Sequence, residues 1–92
     1  TLLFKGKIDY ITNGSSFKKN YTGHPRLAVG GTGDLLAGIC GGLMGRGLTA
    51  FEAARLGSYV IGLAGEICFE ENGSGFLPSE LALCVSKIFG KI

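Results

Sequence analysis

The sequence predicts an α/β chain: short strands or a hairpin, then a glycine turn, then three helices. Three observations carry this. The first twenty residues hold short apolar or alternating runs, broken at Lys5-Gly6 and Asn13-Gly14. The run Gly30-Gly31-Thr32-Gly33-Asp34 follows. From Leu35 to Phe89, apolar residues recur three and four apart, the spacing of helices with one buried face. Three largely apolar helices need more sheet to lie on than the short N-terminal strands supply. That points to partner structure beyond these residues.

Thr1 to Phe4 is a short apolar run and reads as a buried strand. In residues 7–12, Ile8, Tyr10 and Thr12 alternate with Lys7, Asp9 and Ile11, the pattern of a second strand. Asn13-Gly14 is a hairpin turn, with Ser15 to Lys19 returning. Lys18 and Lys19 suit a solvated edge and discourage edge-to-edge pairing. Asn20 to Val29 has no clear period, and His24 is read as a loop residue that hydrogen-bonds locally.

Residues 33–45 form the first predicted helix, with Leu35, Leu36, Ile39, Cys40 and Leu43 on one face. Gly38, Gly41, Gly42 and Gly45 each cost a helix about 1 kcal/mol relative to alanine. Close contact with a sheet or another helix would offset that. Gly47 is the expected left-handed cap. Thr49 and Glu52 make a capping box that opens a helix over about 50–71, with a core stripe of Leu56, Tyr59, Val60, Leu63, Ile67 and Cys68. Gly57, Ala64 and Gly65 leave room for a neighbour. Asn72 to Gly75 is a loop. Ser79 is the expected N-cap of a third helix over 80–89, with Leu81, Val85, Ile88 and Phe89 as its stripe.

The glycine run carries the chemistry. Glycines permit the turns that aim several backbone N–H groups into one concavity. The helix that follows adds its unpaired first N–H groups and the positive end of its dipole. Together these make an anion site suited to phosphate. Asp34 would be repelled by a phosphate unless it has work there, such as accepting a proton. The P-loop is excluded because Asp34, not Lys, follows Gly33. The dinucleotide fingerprint is excluded because Leu36 stands where its third glycine belongs.

Composition narrows the class further. Net charge is +2, without a basic run, so nucleic acid is not indicated. The longest uncharged runs, Leu35 to Gly45 and Leu56 to Gly65, are about half the ~20 residues of a membrane span. Cys40, Cys68 and Cys84 are widely spaced among apolar residues, and His24 is the one histidine, so no metal-ligand spacing appears. Buried reduced thiols in a cytosolic protein are expected. No signal-peptide pattern opens the chain, and its start at Thr1 is expected of a processed chain or a fragment.

The motifs Lys5-Gly6, Thr22-Gly23-x-Pro25 and Ala28-Val29-Gly30-Gly31-Thr32-Gly33-Asp34-Leu35-Leu36-Ala37-Gly38 resemble those of the NAD(P)H-hydrate dehydratases. That family repairs hydrated nicotinamide cofactors with ADP or ATP and belongs to the ribokinase-like superfamily. The likeness runs on through Phe51-Glu52-Ala53-Ala54 and Gly62-Leu63-Ala64-Gly65. It corresponds to the C-terminal third or so of a family member, residues 1–92 being one portion of a single nucleotide-binding domain.

The resemblance implies a three-layer α/β sandwich with a mostly parallel central sheet. It implies that Lys5, Gly6, Lys7, Ile8 and Asp9 form the segment that meets the adenylate, and that Gly31, Thr32 and Gly33 line the nucleotide phosphate. Asp34 would contact the hydrated nicotinamide and act as general base. ADP or ATP with Mg²⁺ is the implied co-substrate. The implied partners are the missing N-terminal portion or another copy of the chain, in a homo-oligomer. The chain departs from the family pattern at His24 (often Asn), Arg26 (often Gly), Asp9 (often Thr) and Ile61 (a histidine). Two other readings use the same turn: a ribokinase-like kinase of a vitamin precursor or sugar, and a non-catalytic nucleotide-binding module.

Overall fold

A computed structural model describes residues 1–24 and 32–90. They form three strands, β1 (Leu2–Phe4), β2 (Asp9–Thr12) and β3 (Phe17–Asn20), then three helices, α1 (Thr32–Gly45), α2 (Ala50–Asn72) and α3 (Pro78–Phe89). A 3₁₀ turn, Gly73–Gly75, joins the last two. The strands make an antiparallel sheet in the order β1-β2-β3. Leu3 faces Ile11 across the first pair, and Asp9 faces Asn20 across the second.

The sheet turns Ile11 (1% exposed) toward α2, with Leu3 packed against the core behind it. Alternation places Leu2, Phe4, Tyr10, Phe17 and Lys19 on the other face, where Tyr10 and Phe17 stack with centroids 5.8 Å apart. The strands are shorter than the alternation predicts, β2 starting at Asp9 and β3 at Phe17. The hairpin turn is correspondingly longer. Asn13 accepts from the N–H groups of Ser15 and Ser16 through its side-chain oxygen, which spreads the reversal over residues 13–16.

The helices cap as their sequences dictate, with one exception. Gly47 takes φ +104°, donates to Met44, and lets Leu48 donate back to Leu43, so the last turn of α1 closes its own carbonyls. Thr49 Oγ1 accepts from Glu52 N at 3.1 Å, while Glu52 Oε1 accepts from Thr49 N at 2.8 Å. Those bonds hold the Glu52 carboxyl below the usual range. The exception is α3. Its N-cap is Leu77, not Ser79, because Pro78 presets the first helical φ and Glu80 Oε1 accepts from Leu77 N at 2.9 Å.

α2 is the axis of the core, packing on α1, α3, β2 and β3. Leu36, Val60, Ile61, Ala64, Cys68, Phe76, Leu81, Cys84 and Val85 form one buried cluster along it. The helices therefore cover one another more than the short sheet implies. Small residues make this possible, although not where the glycine count points. Among the described residues nothing approaches the place of a Cβ at Gly38, Gly41, Gly42 or Gly45, and all four are exposed. The close contacts are on α2. A Cβ at Gly57 would lie 2.9 Å from Cys40 Sγ, and one at Gly62 would lie 2.6 Å from the Thr22 carbonyl oxygen. Tyr59, expected in the core stripe, is 48% exposed, because its side of α2 faces away from α1 and α3.

Candidate functional site

Lys5 to Ile8 form the loop between β1 and β2. The loop is closed by Asp9, whose Oδ1 accepts from Gly6 N at 3.2 Å. Thr32, Gly33 and Asp34 form the first turn of α1, with Thr32 buried and Gly33 and Asp34 exposed. Gly31 and the rest of residues 25–31 lie outside the described residues.

The fold brings these two segments together. A Cβ placed on Gly33 would lie 3.3 Å from the Lys5 ammonium nitrogen. Gly33 is in helical conformation without positive φ, so the need for glycine is space rather than backbone freedom. A cation at the start of a helix faces the positive end of the dipole and is disfavoured there. An anion held between the ammonium and the first N–H groups reverses that sign, and both groups then act on it together.

Beside this pair lies a cavity of about 330 Å³, lined by Thr1, Leu3, Lys5, Gly33, Leu36 and Cys40 among others. Its walls are apolar apart from Lys5 and Thr1. Cys40 belongs to that apolar wall, since burial pushes its thiol pKa up. A larger groove, about 410 Å³, runs between β3 and the start of α2 and is lined by Lys18, Lys19, Asn20, Glu52, Arg55 and Tyr59. Of the predicted site residues, none lines that groove.

Asp34 stands on the exposed side of the same first turn, one residue beyond Gly33. Lys7 is exposed and Ile8 half-buried. Asp9 is turned inward. Its second oxygen accepts from Asn20 Nδ2 at 2.9 Å, so both oxygens are occupied within the fold. Asn20 carries no site signal in the sequence, and His24, expected as a loop residue with local hydrogen bonds, makes an aromatic contact. His24 stacks on Phe69 at 4.2 Å, with Phe76 tilted at 6.1 Å, which holds His24 against the end of α2. A buried asparagine at a strand end has no periodic signature, and Phe76 falls between the loop read over 72–75 and the third helix. Among the described residues no three His, Cys, Asp or Glu side chains come together as a metal site, and no helix is long and apolar enough to cross a membrane.

Fold and geometry thus define a small α/β protein in which a lysine loop meets the glycine-led start of a helix. The chain belongs to the NAD(P)H-hydrate dehydratase family, whose model matches residues 1–87. It is 46% identical over 81 residues to the bifunctional NAD(P)H-hydrate repair enzyme Nnr of Methanothermobacter thermautotrophicus, covering 88% of this chain and 16% of that protein. It is 42% identical over 73 residues to the ADP-dependent (S)-NAD(P)H-hydrate dehydratase of Cenarchaeum symbiosum, covering 79% of this chain and 25% of that protein. With the corresponding dehydratase of Natrialba magadii the identity is 37% over 82 residues, covering 89% of this chain and 32% of the other. The chain therefore spans a third or less of the length of these relatives.

Proposed function

We propose that this chain carries part of the active site of an ADP-dependent dehydratase that repairs hydrated NADH and NADPH. The observation that carries the reading is the Lys5 ammonium set against Gly33 at the start of α1. Two segments that the family resemblance assigns to one nucleotide meet there, although 28 positions separate them in sequence (33 − 5). ADP, rather than ATP, is favoured as co-substrate by the names of the dehydratases of Cenarchaeum and Natrialba.

In this reading the hydroxyl at C6 of the hydrate attacks the terminal phosphoryl group. Asp34 accepts the hydroxyl proton as the O–P bond forms and AMP leaves. The phosphate ester then departs as inorganic phosphate with the electrons of the C6–O bond, and loss of the neighbouring C5 proton restores the dihydronicotinamide. Lys5 and the first N–H groups of α1 neutralise charge on the transferring group, which is where phosphoryl transfer gains most from its enzyme. Mg²⁺ bound with the nucleotide would add to that neutralisation.

The remaining length of the relatives supplies the partner structure. Further strands of a ribokinase-like three-layer sandwich would cover the outer sheet face, where Leu2, Phe4 and Phe17 are more than half exposed, and the glycine face of α1. Residues 1–92 are then the C-terminal portion of one domain in a cytoplasmic enzyme. Titration calorimetry with ADP, on a complete enzyme carrying Lys5→Met, tests the site. A loss of about ten-fold or more in affinity is expected from removing a charge-assisted contact. Unchanged affinity would remove Lys5 from the site and the reading with it.

A further inference from the structure

We propose that Asn20 is a positioning residue for the nucleotide segment, fixing the shape of residues 5–9 through Asp9 and tying it to the strand that leads into the glycine turn. The proposal rests on the reading of the site given above.

Asn20 ends β3 directly opposite Asp9 and is 7% exposed. Its amide is fully engaged. Nδ2 donates to Asp9 Oδ2 at 2.9 Å and to the Ser58 carbonyl of α2 at 3.1 Å. Its Oδ1 accepts from Thr22 Oγ1 at 3.1 Å. The Thr22 hydroxyl also lies 3.1 Å from the Tyr59 carbonyl, and its backbone crosses α2 where Gly62 has no side chain. Asp9, held by Asn20, accepts from Gly6 N with its other oxygen. One line of hydrogen bonds therefore runs from Gly6 through Asp9 and Asn20 to Thr22. One end of it lies in the segment of residues 5–9, and the other is anchored on α2 at the Tyr59 carbonyl.

The amide fits both neighbours at any pH, as a carboxyl group of this size does not. A carboxylate accepts only, so Asp9 requires a donor; the Thr22 hydroxyl, as donor, has Asn20 Oδ1 and the Tyr59 carbonyl as its acceptors. Asn20 offers both from one planar head. Removing it leaves the Asp9 carboxylate without its buried partner and frees it to release Gly6. The backbone N–H of Gly6 would then lose its fixed direction, and Lys5 beside it would no longer be held against Gly33.

Asn20→Asp separates this role from mere support. It sets two carboxylates in hydrogen-bond contact, and such a pair shares one proton, with one pKa strongly raised. Protonated, the new side chain still donates to Asp9; ionised, it repels it. Lys18 and Lys19 on β3 and Glu52, Arg55 and Tyr59 on α2 border the same groove, yet they are present in both proteins and cancel in the comparison. The experiment measures ADP affinity by calorimetry at about pH 5.5 and about pH 8.5, in a complete enzyme carrying Asn20, Asn20→Asp or Asp9→Asn. The expected result is an Asn20→Asp protein that binds ADP about ten-fold more weakly than wild type at the higher pH and equals wild type at the lower, the ratio at each pH cancelling the titration of ADP's own phosphate. Asp9→Asn, which has a single acceptor oxygen for two donors, is expected to bind about ten-fold more weakly at both. An Asn20→Asp protein whose ADP affinity matches wild type at both values overturns the proposal, as does unchanged affinity in Asp9→Asn. A wild type that does not bind ADP overturns the reading of the site instead, and the proposal falls with it.

Discussion

Replacing Gly62 with alanine should be more damaging than the same change at Gly57 or Gly38. Its Cβ would land on the Thr22 hydroxyl and lie 2.6 Å from the Thr22 carbonyl oxygen and 2.7 Å from the carbonyl carbon. The obstacle is backbone, so it cannot swing aside as a side-chain tip can. Overpacking of this kind costs about 1–3 kcal/mol. Displacing Thr22 also weakens the one hydrogen bond its hydroxyl donates, shared between Asn20 Oδ1 and the Tyr59 carbonyl and worth about 0.5–1.5 kcal/mol. Alanine's better helix propensity returns about 1 kcal/mol. A net loss of about 0.5–3.5 kcal/mol follows. Gly57→Ala is the control for a movable neighbour, since its Cβ meets Cys40 Sγ at 2.9 Å, and it should cost about 1 kcal/mol. Gly38→Ala, with nothing near it among the described residues, should add stability in the chain of residues 1–92. Urea unfolding of the three variants measures the order. A Gly62→Ala protein within about 0.5 kcal/mol of wild type would refute the contact between Thr22 and α2. Gly38→Ala also reports on the missing layer: it should turn destabilising in a complete enzyme, where further structure covers that face.

Other expectations concern the site and the core. Asp34→Asn should keep ADP binding and lose about 10²- to 10⁴-fold in turnover of hydrated NADH, the range of a general base, and near-normal turnover would end that assignment. Gly33→Val should weaken ADP binding by about a hundred-fold, because a branched side chain at 3.3 Å from the ammonium displaces Lys5 and blocks the helix start. Calorimetry decides this, unchanged affinity leaving the turn a purely structural one. Cys68 is held protonated by burial, by its hydrogen bond to Cys84 Sγ at 3.0 Å, and by Glu80 and Glu71; its thiol pKa is pushed from 9.0 to about 12. A raised acid pKa in the folded state means that the unfolded chain sheds its proton first. Stability is then complete below about pH 9 and falls as pH rises from 9 toward 12. Unfolding free energy followed across that window should drop less in Cys68→Ala than in wild type, and equal slopes would contradict the burial argument.

Helix ends were legible in the sequence because their chemistry is local. Thr49 with Glu52, and Gly47 with Leu48, act within six residues and need nothing from the rest of the fold. The N-cap of α3 was misplaced at Ser79 for a related reason: Pro78 and Glu80 offer a competing local solution two residues earlier. The glycine-led helix start, with Asp34 in its first turn, is also written locally. Other features depend on contacts between distant residues, and no window of sequence holds those. Period two shows that β2 alternates, but only packing on α2 turned Ile11 and Asp9 inward and Tyr10 outward. The eight glycines of α1 and α2 look alike in the sequence. The path of Thr22 across α2 made Gly62 indispensable, while Gly38, Gly41, Gly42 and Gly45 stand open. Asn20 reads as one polar residue in an aperiodic stretch until the register of β3 sets it opposite Asp9 and above Ser58. The sequence by itself determined the elements, their caps and the residue types of an anion site. The tertiary structure decided which of those residues meet, because strand register and helix crossing are set by packing summed over the whole core.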